Sequence, residues 1–178
     1  MTSNITRIGS ISHGTMRPED LIPCFMDALD SIREDLSSGG PENVATVSRI
    51  DDFLGEIEHN MNVEIDFDSD EPGYFDGDEC MEDLSALEDM LNEFAPPYCY
   101  FGSHPGDGAD YGFWPMMDSL EEDALNGDVL KINAGDEWPE DEIRERVEMD
   151  CISYVLEVND HGNVTLYTTD HKEVWSCV

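Results

Sequence analysis

No Lys or Arg stands between Ile50 and Leu130, although that 81-residue stretch holds 24 of the chain's 43 Asp and Glu. Across all 178 residues only 8 are basic, and the formal charge is -35. Charge this far from zero repels itself and opposes any compact state. The acids must therefore serve a purpose that offsets their cost to folding. A surface so negative does not bind DNA or an anionic membrane. It suits a chain that imitates nucleic acid, one that holds many cations, or one kept dissolved in strong brine.

A core is affordable nonetheless. Apolar residues make up 39% of the chain, with 7 Phe, 6 Tyr and 3 Trp, whereas acidic disordered chains are poor in aromatics. The length suits one domain, or one domain with a helical extension. The longest apolar runs, such as Tyr98–Phe101, are too short to span a membrane. Met1-Thr-Ser-Asn-Ile-Thr-Arg7 lacks the apolar region of a signal peptide. The five cysteines (Cys24, Cys80, Cys99, Cys151 and Cys177) are odd in number and contain no CxxC. They read as buried structural thiols in a reducing, cytoplasmic compartment, not as a disulfide framework or zinc site.

Hydrophobic spacing sets out the elements. A short strand is expected around Thr6–Ile11. Arg17-Pro18-Glu19-Asp20 opens a helix, with proline at its first position and acids in its first turn; Pro23 could delay the true start. Leu21, Ile22, Phe25, Met26, Leu29, Ile32 and Leu36 form its stripe. After Ser37-Ser-Gly-Gly-Pro41, a second stripe of Val44, Val47, Ile50, Phe53, Leu54 and Ile57 completes a helical hairpin. Val63-Glu-Ile-Asp-Phe67 alternates as a half-buried strand does. A third helix is expected over 79–94, with Met81, Leu84, Leu87, Leu91 and Phe94 inward. Tyr98–Phe101 reads as a strand and Gly102–Gly112 as a loop. Asp118–Asn126 reads as a helix capped by Gly127, and Val129–Ile132 as a strand. A helical turn is expected near Asp141–Val147. Ser153–Val158, Val164–Thr168 and Glu173–Cys177, separated by turn residues, describe an antiparallel meander. The predicted fold is α+β: an N-terminal helical hairpin, an acidic mid-chain helix and a mainly antiparallel C-terminal sheet. Residues 1–61 are expected to form the helical region and 62–178 the acidic α+β part, packed as one compact unit because no long linker parts them.

The acids concentrate where the third helix is expected. Duplex DNA carries about one charge per 1.7 Å of axis. A protein decoy needs carboxylates at comparable density on a rigid scaffold with few cations beside them. Helix positions three and four apart lie ~5–6 Å from each other. Glu79, Glu82, Asp83, Glu88, Asp89 and Glu93 would form the ordered core of such an array, and Asp66, Asp68, Asp70, Glu71, Asp76 and Asp78 its continuation. Asp51, Asp52, Glu56 and Glu58 would extend it. A face meant only for solubility mixes both signs, because like charges at these spacings destabilise a helix.

In size, charge and cytosolic character the chain resembles the DNA-mimic proteins that phages and mobile elements use against restriction enzymes and CRISPR effectors. The stretches Tyr98–Pro115 and Tyr154–Tyr167 also look like parts of uncharacterised phage-encoded proteins. The resemblance implies an anti-restriction or anti-CRISPR inhibitor without catalysis or cofactor. It would act in the host cytoplasm by filling the basic nucleic-acid channel of a defence complex.

Calcium offers the alternative. Asp68–Glu79 can be laid on a twelve-residue calcium loop, with Asp at positions 1, 3 and 9, Gly73 at 6, Phe75 at 8 and Glu at 12. Pro72 at position 5 supplies no side-chain oxygen. An enzymatic reading rests on His104, Asp107 and Asp110, residues that equally describe a plain turn. GxSxG, HExxH and P-loop patterns are absent from the sequence. Salt adaptation would spread the acids evenly, whereas the first 49 residues hold only 7. Trp114, Trp138 and Trp175 read as packing residues, and an exposed one would anchor a partner.

Overall fold

The computed structural model describes residues 8–62 and 73–178. Within them are five α-helices and seven strands in two sheets. The expected strand Val63–Phe67 and the acids Asp66, Asp68, Asp70 and Glu71 lie outside the described residues. By its contacts the chain forms two units, Met1–Ala95 with Phe101–Phe113, and Pro96–Tyr100 with Trp114–Val178. The division falls after Ala95, where the sequence suggested residue 61, because the third helix packs against the first.

The first unit is built on the apolar stripes. Strand β1 (Gly9–His13) leads to α1 (Pro18–Gly39), and α2 (Val44–Met61) returns beside it. The hairpin stands as expected, and α1 starts at Pro18 despite the exposed Pro23 inside it. Leu21, Ile22, Phe25, Leu29, Ile32 and Leu36 of α1 are buried, together with Ile50, Leu54 and Ile57 of α2. Helix α3 (Asp78–Asn92) packs on α1 through Cys80, Leu84, Leu87 and Leu91. Two residues leave their expected stripes: Met81 is 55% exposed and Val44 is 65% exposed. Met81 sits on the flank of α3, about 60–120° around the helix from the buried leucines.

The segment expected to be a loop, Gly102–Gly112, is instead a hairpin of β2 (Cys99–His104) and β3 (Asp107–Pro115), turning at Pro105 and Gly106. Glycine and aspartate favour turns locally, but pairing with β1 overrides that preference. The strand order is β1-β3-β2. Gly112 is required by close approach: a Cβ there would lie 2.0 Å from the Gly9 carbonyl oxygen. Phe25 meets Phe101 edge-on at 4.9 Å between ring centroids.

In the second unit, α4 (Met117–Asn126) ends at Gly127, whose φ of 88° is the left-handed cap expected from the sequence. The sheet runs β4 (Val129–Asn133), β5 (Tyr154–Val158), β6 (Val164–Thr168) and β7 (Glu173–Cys177) in that order. Strands β5 to β7 form the antiparallel meander, while β4 lies parallel to β5. A parallel pair needs a long crossover. The polar stretch between β4 and β5 supplies it with helix α5 (Glu140–Glu148). Ile143 of α5 packs with Leu130, Ile152 and Val155, joined by Trp138 and Tyr167. Trp175 is buried and donates its Nε1–H to the Pro97 carbonyl at 2.8 Å. Four of the five thiols are buried or half-buried, but Cys151 is exposed. Burial, helped by Cys177, pushes the Cys99 thiol up to about 12.

Candidate partner-binding face

Helix α3 presents its acids in three groups. Its core side points through Cys80, Leu84, Leu87 and Leu91. At about 100° per residue, Asp78, Glu82 and Asp89 project from the opposite side with Glu79 close by, and all four are exposed. Asp76, on the 3-10 turn just before α3, is exposed as well.

Asp83 and Glu88 lie on the two flanks and are half-buried. Asp83 accepts hydrogen bonds from Tyr74 Oη at 2.8 Å and Asn60 Nδ2 at 3.1 Å, which ties α3 to α2 and to the preceding turn. Tyr74 is held well above the usual phenol range by burial, then by its bond to Asp83. Glu88 is raised by burial and, secondarily, by the charge of Asp89. Glu93 caps the far end of α3 and takes two hydrogen bonds from Arg49 of α2, at 3.0 and 2.6 Å. That contact lowers the Glu93 carboxyl. Asp83 and Glu93 therefore have structural work that the sequence does not reveal, while Glu88 is half-buried at a cost.

The hairpin decides which acids of α2 join them. Arg49, Asp52, Glu56 and Asn60 follow one another at helical spacing, and the two ends of this stripe contact α3. Asp52 and Glu56, exposed between them, border the α3 face. Asp51 turns the other way and accepts from Arg33 of α1 at 3.1 Å. Glu58, two turns further on, shares the side of Asp51. The stretch that is free of cations along the chain is thus not free of them in space: Arg33 and Arg49, which precede it in the chain, are folded back onto it.

The acids are also placed against local helix energetics. Asp78 and Glu79 sit in the first turn, where the helix dipole favours them. Glu88, Asp89 and Glu93 crowd the other end, which holds no basic residue of its own. A carboxylate there costs about 0.3–1 kcal/mol. Arg49 offsets this for Glu93 alone.

Six acids on the 15 residues of α3, at ~1.5 Å rise per residue, give about one charge per 4 Å. One DNA strand carries about one per 3.4 Å. Counting only the exposed Asp78, Glu79, Glu82 and Asp89 gives about one per 5–6 Å, and Asp52 and Glu56 thicken the row from α2.

The described half of the proposed calcium loop takes a different shape. Gly73 is extended, with φ -64° and ψ 161°, and Tyr74–Asp76 form a 3-10 turn. The sharp turn for which a calcium loop places its glycine is not made at Gly73. Among the described residues no three His, Cys, Asp or Glu converge as a metal site would require. His104 and Asp107 serve the hairpin: His104 Nδ1 accepts from the Gly106 N–H at 3.0 Å, and Asp107 from the Ala109 N–H at 3.0 Å. Asp110 stands on β3 opposite His13 of β1. Among the described residues no helix is long and apolar enough to cross a membrane. Comparison with family models, with curated proteins and with solved structures finds no match.

Proposed function

We propose that the protein is a DNA mimic, an inhibitor that seats its α3 face in the basic nucleic-acid channel of a host defence complex such as a CRISPR effector or a restriction enzyme. The observation that carries the reading is the outward row Asp78, Glu79, Glu82 and Asp89, exposed at about one charge per 5–6 Å of helix and bordered by Asp52 and Glu56. Asp89, exposed near the C-terminal end of α3, weakens the helix that bears it, so its presence supports a role outside folding. Occupation of the channel is stoichiometric, needs no cofactor and involves no catalysis. The site of action is the compartment of the target, the host cytoplasm for a phage-encoded inhibitor.

The test is retention of host proteins on the immobilised protein, followed by elution with rising salt and by competition with duplex DNA. Nucleic-acid-binding complexes should leave steeply with salt and be displaced by DNA. The triple variant E79K/E82K/D89K, altered only at exposed positions, should lose them while keeping its circular dichroism spectrum. Unchanged retention by the folded variant sinks the assignment of this face.

A further inference from the structure

A groove of about 580 Å³ runs between β1 and α1. Its strand wall is Ile8, Gly9, Ser10 and Ile11, four residues in succession. Side chains alternate across a strand, so consecutive residues line a groove with their backbone edge. Among the described residues no strand pairs with this edge, since the order β1-β3-β2 places β3 on the other side of β1. The helix wall is Cys24, Asp27, Ala28, Ser31 and Ile32, a single face at i, i+3, i+4, i+7 and i+8. Small side chains at 24, 28 and 31 leave the space, and Phe113 completes the lining.

We propose that this groove receives an extended basic segment of a partner protein as an added strand on β1. An open strand edge supplies backbone donors and acceptors in a row, and the helix wall of mostly small side chains takes alternate side chains of the incoming segment. Lys and Pro commonly guard free edges; β1, Gly-Ser-Ile-Ser-His, has neither. The segment is basic because, among the described residues, Asp27 is the one carboxylate in the lining and no Lys or Arg lines it, and because the chain carries -35. The same charge opposes a second copy as occupant. A register shift between Ser10 and Ser12 confines the new ladder to Ile8–Ile11. The proposal is independent of the acidic face on α3.

The test is a titration of the full, isotopically labelled chain with an acetylated and amidated hexapeptide of alternating valine and lysine. Two analogues, N-methylated at every second residue in either phase, are titrated alongside. The expected result is saturable binding that shifts amides of residues 8–13 and 24–32 and slows hydrogen exchange in β1. One analogue should bind about tenfold or more weakly, having lost several backbone bonds. Ser31→Trp, an exposed position that fills the groove, should have the same effect, whereas E79K/E82K/D89K should leave the shifts near β1 in place. Equal binding by both analogues, or shifts confined to α3, would reduce the interaction to adsorption of a cation and overturn the proposal. A concentration-dependent dimer abolished by Ser31→Trp would overturn it in favour of a second copy. Absence of saturable binding would do so outright.

Discussion

Arg49 holds Glu93 with both of its terminal nitrogens, at 3.0 and 2.6 Å, joining the start of α2 to the end of α3. The two side chains are 47% and 50% exposed. Water and salt therefore screen the pair, and such contacts are worth at most about 1 kcal/mol. Arg49→Ala should lower stability by less than that in dilute buffer and by nothing measurable near 1 M salt. Urea denaturation at the two ionic strengths checks both statements. Because Glu93 titrates below its ordinary range, the contribution of the pair is present above the unfolded-state pKa of glutamate. It is lost as pH falls through the lower, folded-state value.

Glu88 works in the opposite sense. Its carboxyl is raised by burial and by Asp89, so the folded state favours the protonated form. The cost is absent below the unfolded-state pKa, grows as pH rises from there to the folded-state value, and persists above it. Glu88→Gln should stabilise the protein at pH 7, by about 0.5 kcal/mol, and do nothing near pH 3. Thermal melts at the two pH values decide it; a loss of stability at pH 7 would contradict the assigned cause.

The charge of -35 should make stability rise with ionic strength, because the Debye length falls from ~30 Å at 0.01 M to ~3 Å at 1 M. Sodium and potassium chloride should act alike. At matched ionic strength, calcium near ~1 mM should raise the Tm no more than magnesium does. A calcium-specific gain of tens of degrees, lost on Asp68→Ala or Glu79→Gln, would instead establish a dedicated calcium site.

Phe25 is fully buried against Phe101 and Tyr111. Phe25→Ala should cost about 3–5 kcal/mol. Leu125, 88% exposed on α4, should tolerate alanine within about 0.5 kcal/mol. Chemical denaturation of the two variants compares them directly.

Gly112→Ala should cost about 1–3 kcal/mol or prevent folding, since the added methyl collides with backbone and no side chain can move aside. Gly108→Ala, with open space around the new atom, is the control and should be near neutral. Differential scanning calorimetry of both variants separates local crowding from a general dislike of alanine in β3.

Much of this fold was legible in residue order because its signals are local. The leucine and isoleucine stripes of α1, α2 and α3, the Gly127 cap and the closing meander each follow from a spacing of a few residues. Signals that depend on a distant partner were not. The Gly102–Gly112 stretch carries turn residues yet is strand, since β1, nearly a hundred residues earlier along the chain, pairs with it. The parallel pairing of β4 with β5 left no local mark, because a crossover helix can return a strand to either edge.

The sequence by itself determined that the chain has a core, that its middle is a run of carboxylates without cations, and that three helices carry apolar stripes. Only the tertiary structure decided which carboxylates remain exposed. It engaged Asp83 with Tyr74 and Asn60, lodged Glu88 on a half-buried flank, and folded Arg33 and Arg49 back onto Asp51 and Glu93. Composition counts charges, but Coulomb interactions and desolvation act through distances in space, and those distances exist only once the helices have packed.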